Sequence, residues 1–470
     1  MSKRIPLLEE VLKYQKEKNL ILSMPGNKSG IGFLRDDIGK EFVNNMGFLD
    51  ITEVDPLDNL HCPEGIIKEA QDLLAKTYGS KKAYFVVNGS TAGNLASIFD
   101  AFNEGYEVLV ERNCHKSIYN GLILRKLKVR YIEPVIHEDK GLFLPPTEKE
   151  IYKALEGCNN PKGIILTYPN YFGIGYKVFD ILRKLKEKGL TIIIDGAHGA
   201  HYGISGKLPK SIVKYADYIV LSAHKTLPSL TQGSYLLVNN DNNIDFYLKS
   251  FMTTSPSYLI MSSLDYSRYY LDIYGEEDYD RLIDLANKWS VKINKLNKVS
   301  VLKEEDLPMG YNLDLSRYIF TLPKGYSGHK LLDYLRSMKI QCEMSFDGGV
   351  VLILSPFNNE EDFKKIYNSI NKLNLSSLRD NKYQNYYNII PKKVLEPYEV
   401  FDKSFEYVDI DESIGKISKE ALIPYPPGIP LICGGEIISI EVIEIIKGYI
   451  KNNKSVIGLY NNLIKVIKDN

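Results

Sequence analysis

The chain of 470 residues has a single tryptophan, and its five cysteines (Cys62, Cys114, Cys158, Cys342 and Cys433) are odd in number, scattered and without a C-x-x-C pair. Neither a zinc site nor a disulfide framework is indicated, and reduced thiols in the cytoplasm are the simplest reading. Net charge is lacking as well: 59 Lys plus Arg balance 59 Asp plus Glu. No overall field then draws the chain to nucleic acid or to an anionic membrane, and a charged partner must be recognised locally. No apolar run reaches the roughly 18 residues of a membrane-spanning helix. Residues 1–20 carry basic side chains but no continuous apolar core, so no export signal is expected. Internal repeats and low-complexity tracts are absent, and the scarcity of Trp beside 34 Tyr says nothing about activity.

What is present is a 44% hydrophobic chain, long enough for two or three domains. From about residue 63 to 240, β-branched apolar runs alternate with amphipathic stretches, the pattern of an α/β domain around a mostly parallel sheet. The strand candidates are AYFVV (83–87), YEVLVE (106–111), VRYIEPV (129–135), GIILTYP (163–169), TIIIDGAH (191–198) and ADYIVLSAH (216–224). Residues 1–55 read as an N-terminal helix and arm, 56–305 as a large domain, and 306–470 as a smaller α+β C-terminal domain with a final helix after Gly435. The polar, Tyr/Asn-rich stretch 376–400 reads as a linker or surface loop.

Three segments carry chemistry. In VVNGSTAGN (86–94) a strand runs into small residues before a helix, which suits either a phosphate cradled by amides and the Ser90 and Thr91 hydroxyls, or simply a capped helix. In TIIIDGAHGAH (191–201) a buried strand ends in Asp195, where open α/β sheets place their ligands. Asp195 could equally be a structural cap, or a metal ligand with His198 and His201. In IVLSAHKTLPSLTQGS (219–234) another strand ends at Lys225, among small hydroxyl residues and His224. Most strand-end lysines are solvated, but partial burial here would lower the pKa and make the amine nucleophilic. A phosphate cradle, then an acid, then a lysine is the set that pyridoxal 5′-phosphate (PLP) requires: donors for the phosphate, an acid for the ring nitrogen and an amine for the aldehyde.

The sequence also resembles the ornithine/lysine/arginine decarboxylase family, from about Met24 to Glu436. The matching stretches are MPGNKSG (24–30), DITEVDPLDNLHCPEG (50–65), VNGSTAGN (87–94), RNCHKS (112–117), DGAHGAH (195–201), SAHKTLPSLTQGS (222–234), TTSPSY (253–258) and YPPGIPLICGGE (425–436). The resemblance implies a fold type I, aspartate-aminotransferase-like PLP enzyme with a mostly parallel sheet of seven-stranded type between helices. It implies a short-form member, without the receiver-like domain of the long forms. By the same resemblance Ser90, Thr91 and Ala92 bind the phosphate, His115 stacks on the ring, Asp195 pairs with the ring nitrogen, and Ala197 and His198 line the ring. Ser222 and His224 add phosphate and positioning contacts, and Lys225 forms the imine. Thr253 reaches the phosphate of a neighbouring subunit, which implies a homodimer with a shared site, further assembly being open.

Glu436 is expected to face the distal basic group of the substrate, or else to cap the final helix. The implied reaction is decarboxylation of a basic amino acid, arginine first and then lysine or ornithine, with Lys225 or His224 as the acid that protonates the product; polyamine biosynthesis is the expected setting. The alternatives are an aminotransferase or lyase on the same fold, and a non-catalytic regulatory homologue. Four positions depart from the family pattern: Asn27 replaces the His of MPGHK, Gly196 replaces a non-Gly residue, Gly434 replaces the Pro of PGE, and Lys177 replaces the usual Asp after TYPNYFGIG. They bear on substrate choice and catalytic competence rather than on cofactor binding.

Overall fold

The computed structural model describes residues 5–380, 389–425, 430–451 and 455–468. Residues 381–388 of the expected linker, and the Pro-Pro-Gly-Ile at 426–429, lie outside the described residues. Seven strands make the central sheet: β1 (Lys82–Val86), β2 (Glu107–Glu111), β3 (Lys128–Ile132), β4 (Pro161–Thr167), β5 (Thr191–Asp195), β6 (Tyr218–Leu221) and β7 (Ser234–Val238). Their order is β1-β7-β6-β5-β4-β2-β3, with β7 antiparallel to both neighbours and the rest parallel. Consecutive residues such as Ile192, Ile193 and Ile194 are all fully buried, so these strands read as continuous apolar runs rather than alternating ones. β3 stops at Ile132, and beyond Pro134 the chain leaves the sheet to pair Val135–His137 with Leu142–Leu144.

A second, antiparallel sheet of β8 (Ser300–Val301), β9 (Arg317–Thr321), β10 (Met344–Phe346) and β11 (Gly349–Ile353) runs in the order β8-β9-β11-β10. Its buried residues Tyr318, Phe320, Val350 and Leu352 belong to the same apolar cluster as the central sheet. Further on, β12 (Phe405–Asp409) pairs with β13 (Leu463–Ile467), and a late helix spans Ile440–Lys451. Ile410, Leu422, Ile438, Val442, Ile446 and Ile464 form a separate core there. Leu307, Tyr311, Leu313, Ile319, Phe346 and Val351 belong to a third, so the expected segment 306–470 divides its apolar side chains among three cores.

The first helix, α1 (Pro6–Lys16), buries none of its residues in this chain. The glycine-rich stretch after it does not behave as a loose arm. Gly26 N–H donates to the His224 carbonyl at 2.7 Å, and Asn27 Nδ2 donates to the Ser229 carbonyl at 2.7 Å. A Cβ on Gly26 would stand 2.6 Å from the Thr226 and Leu227 backbone. Only glycine allows this close an approach beneath the turn that carries Lys225.

Candidate active site

The carboxyl ends of β1, β2, β4, β5 and β6 open on one cleft of about 450 Å³ lined by Ser90, Thr91, His115, Thr167, Asp195, Ala197, His198, Ser222, His224 and Lys225, among others. This is the edge where open parallel sheets bind ligands, because the helices that follow the strands point their N-termini there. After β1, Gly89 turns with φ +78° into helix α2 (Gly89–Ala101), whose first turn has no side-chain cap. Its amides are left for an anion. Ser90 Oγ lies 2.6 Å from Ser222 Oγ and 3.1 Å from Ser234 Oγ, a hydroxyl cluster beside that turn. Ala92, on the same turn, is buried and does not line the cleft with its side chain.

Asp195 ends β5 almost fully buried, and its Oδ1 accepts from Ala197 N–H at 3.1 Å while Oδ2 accepts from Asn94 Nδ2 at 3.0 Å. Asn94 in turn donates to Ser117 Oγ at 2.9 Å. His115 caps the helix Lys116–Leu124 by accepting Ser117 N–H on Nδ1. Burial lowers its pKa although Asp195 opposes the shift, which disfavours the charged ring. His224 Nδ1–H donates to the Gly233 carbonyl at 2.9 Å, and burial lowers its pKa too.

Lys225 Nζ stands 3.0 Å from His198 Nε2, and on the other side of that ring Arg317 Nη2 donates to His198 Nδ1 and to its carbonyl oxygen, both at 3.3 Å. Burial lowers the Lys225 pKa to about 8, helped by Arg317 and opposed by Asp195 and Glu343. Glu343 accepts from the Tyr171 hydroxyl and, at 2.9 Å, from Met24 N–H. Tyr171 packs on His198 with ring centroids 4.8 Å apart. On the floor, Glu111 at the end of β2 accepts Thr167 N–H at 2.8 Å, and burial raises its pKa to about 8.

Among these, Asn94, Ser117, Tyr171, Arg317 and Glu343 were not expected from the sequence. Asn94 carried a signal, being a polar residue on the apolar side of a helix within VNGSTAGN. Arg317 and Glu343 carried none, because they stand behind the cleft, Arg317 on the second sheet and Glu343 just before its strand β10. The departures find local explanations. Asn27 Oδ1 accepts Gly30 N–H at 3.0 Å and so closes its own turn. A Cβ at Gly196 would stand 2.8 Å from Leu221 Cδ2, and one at Gly434 3.1 Å from the Lys419 carbonyl. Nothing in the structure explains Lys177.

Glu436 stands elsewhere than expected, and His201 and Thr253 take the following places. His201 does not join Asp195 and His198: its Nε2 is 2.9 Å from Asp314 Oδ2 in the interior, and among the described residues no three His, Cys, Asp or Glu side chains are grouped to hold a metal. Thr253 does not enter its own chain's cleft; it is exposed at the rim, its N–H bonded to Asn88 Oδ1 at 3.1 Å. Glu436 neither faces the cleft nor caps the last helix. It is fully buried and accepts from Arg112 through Nη1 at 2.5 Å and Nη2 at 2.8 Å, with Cys433 N–H at 2.7 Å. The carboxylate is closed on a bidentate guanidinium inside the protein instead of standing free toward the cleft.

Comparison with known proteins agrees with this geometry. Residues 5–310 match the model of the Orn/Lys/Arg decarboxylase major domain, and residues 380–460 that of the C-terminal domain. An uncharacterized protein of Bacillus subtilis, YaaO, is 33% identical, with 93% of each chain covered. The arginine decarboxylase of the same organism is 29% identical over 94% of this chain and 92% of its own. Among solved structures, the constitutive lysine decarboxylase of Escherichia coli superposes with a TM-score of 0.78 at 17% identity, covering 99% of this chain and 82% of the other. Sheet order, cleft and matched domains lead to one conclusion: the chain belongs to the Orn/Lys/Arg decarboxylase family and has its aspartate-aminotransferase-like fold.

Proposed function

We propose that the protein is a PLP-dependent decarboxylase of a basic amino acid, arginine ahead of lysine and ornithine, releasing the amine and CO₂ in the cytoplasm. The observation that carries the reading is one cleft that gathers an uncapped helix N-terminus, a buried Asp195 held by Asn94, and a Lys225 amine with lowered pKa. The donor set fits the cofactor. Ser90, Thr91 and the first amides of α2 would hold the phosphate, with Ser222 beside them, and Asp195 would hold a proton on the ring nitrogen. His115, Ala197 and His198 would flank the ring, and Lys225 would bind the aldehyde carbon. Bound there, PLP supplies the electron sink for the bond to the departing carboxylate.

The chain's own residues then orient and protonate. Asp195 is fixed by two hydrogen bonds, which would keep it turned toward the ring nitrogen. Tyr171 and Met344 wall the cleft on the side of the second sheet. His224 is anchored through Nδ1–H, which leaves Nε2 as the atom able to exchange a proton, and Lys225 Nζ is the other. Arg317 stands behind His198 rather than in the cleft wall, so it does not offer the carboxylate clamp that an aminotransferase reading needs.

The 29% identity to an arginine decarboxylase along nearly the whole chain favours arginine. With PLP-loaded protein, CO₂ release from arginine should exceed that from lysine or ornithine by about tenfold or more, the discrimination a pocket achieves for small changes in substrate shape. Silence with all three amino acids would sink the decarboxylase reading.

The expected active unit is a homodimer. On α1, Leu7 is 79%, Val11 55% and Leu12 50% exposed, an apolar face that packs on nothing in its own chain and suits a second copy. Thr253 lies exposed at the rim, where a neighbouring subunit's site could be completed. Mixing Lys225→Ala with a disabling Thr253→Glu variant tests this. Random exchange in a two-fold dimer makes about half the dimers hybrid, each with one intact site, so about a quarter of wild-type activity should return. No recovery despite confirmed exchange would mean that the sites are not shared through Thr253.

A further inference from the structure

Between the cleft and the second sheet runs a row of three side chains whose hydrogen-bond roles can be assigned by elimination. Arg317 lies on β9, fully buried, and its Nη2 points at His198 Nδ1. A guanidinium in a protein is a donor only and does not lose its proton. His198 Nδ1 must therefore present a lone pair, which leaves the ring proton on Nε2. At Nε2 the neighbour is Lys225 Nζ, 3.0 Å away. If Lys225 were an ammonium donating to Nε2, the ring would face donors at both nitrogens and would have to be an imidazolate. The arrangement closes only when Lys225 is a neutral amine accepting from Nε2–H.

We propose that Arg317 is a positioning residue that fixes His198 as the Nε2–H tautomer and, through it, favours the free-base form of Lys225 and directs its lone pair. The inference deepens the proposed function, since it rests on Lys225 being the reactive amine. The charges around the amine agree with it. Asp195 and Glu343 favour the ammonium, whereas burial and Arg317 favour the amine, and the balance falls below the ordinary lysine value. His198 is itself held well below the usual histidine range by burial, with Lys225 and Arg317 adding to the effect, so it does not take a second proton. His115 and His224, the other rings at the cleft, are shifted down by burial as well. Asp314 attracts the guanidinium from the same turn, and the Arg317 N–H donates to its carbonyl at 2.9 Å.

The test uses the full-length chain freed of cofactor, so that it does not depend on turnover. Nitrogen NMR of ¹⁵N-histidine protein, with His198 assigned by loss of its signals in His198→Gln, should show a bare Nδ1 and a protonated Nε2 above the midpoint of the amine. Competitive acylation of Lys225 against pH, read by mass spectrometry, gives the amine's apparent pKa. Arg317→Met removes both donor and charge, and should raise that pKa by about 1–2 units, slowing labelling at neutral pH roughly 10- to 100-fold. Arg317→Gln keeps a donor without the charge; it should retain the tautomer and lie between the two. A His198 protonated on Nδ1 in the wild-type chain, or an unchanged Lys225 pKa in Arg317→Met, would overturn the proposal. Should Arg317→Met not fold, the wild-type spectrum still decides. Failure of the decarboxylase reading would appear elsewhere, as absent CO₂ release with the tautomer intact.

Discussion

Lys225→Ala should lose turnover by about 10³-fold or more, because Lys225 is the one lysine among the described residues that lines the cleft and would capture the cofactor's aldehyde carbon. PLP should still bind weakly to the variant, since the hydroxyl cluster of Ser90, Ser222 and Ser234, the first amides of α2, and Asp195 are untouched. Borohydride treatment of the loaded wild-type protein should fix the cofactor on Lys225, and peptide mapping reads the site. Because the amine's pKa is lowered to about 8, the rate of PLP capture by the cofactor-free chain should climb with pH and level off above that value. An unperturbed lysine would keep climbing to about pH 10. An adduct on another lysine, or none, would remove the cofactor assignment altogether.

Glu436→Gln should damage stability far more than kinetics. Its carboxylate and the Arg112 guanidinium are both essentially buried, and removing one partner leaves an uncompensated charge inside, a loss of about 3–5 kcal/mol. The expected signs are a large fall in thermal midpoint and in soluble yield, with kcat/KM of the folded fraction within about twofold of wild type. Replacing both Arg112 and Glu436 with Met should recover much of the loss, because two apolar side chains carry no desolvation penalty. The opposite pattern, a folded and stable Glu436→Gln chain with a large kinetic defect on basic substrates, would restore the substrate-facing role expected from the sequence.

The two residues show how far a sequence reading extends. Asp195 and Lys225 were legible because each ends a continuous apolar strand, and in a parallel sheet every such end lies on the same edge. Glu436 was misread for want of that geometry. Its motif placed it near a turn and a helix, but its partner Arg112 is 324 residues away, and no periodicity links them. The stretch 24–30 was likewise read as part of an arm. Its glycine in fact permits the backbone to press against the Lys225 turn, a contact invisible without the third dimension.

The sequence alone therefore determined the α/β class, six of the seven central strands apart from their ends, the turn of small residues after the first, and the strand-end acid and lysine on which the cofactor reading rests. Those features follow from local rules: apolar periodicity, small residues at turns and the order of elements along one chain. Tertiary structure decided which polar groups surround them. It brought Arg317, on the second sheet, and Glu343, just before its strand β10, to the rear of the cleft, turned His201 away to Asp314, and closed Glu436 on Arg112. The physical reason is that a buried charge must find its counterpart wherever packing allows, and that choice is made by contacts between elements hundreds of residues apart.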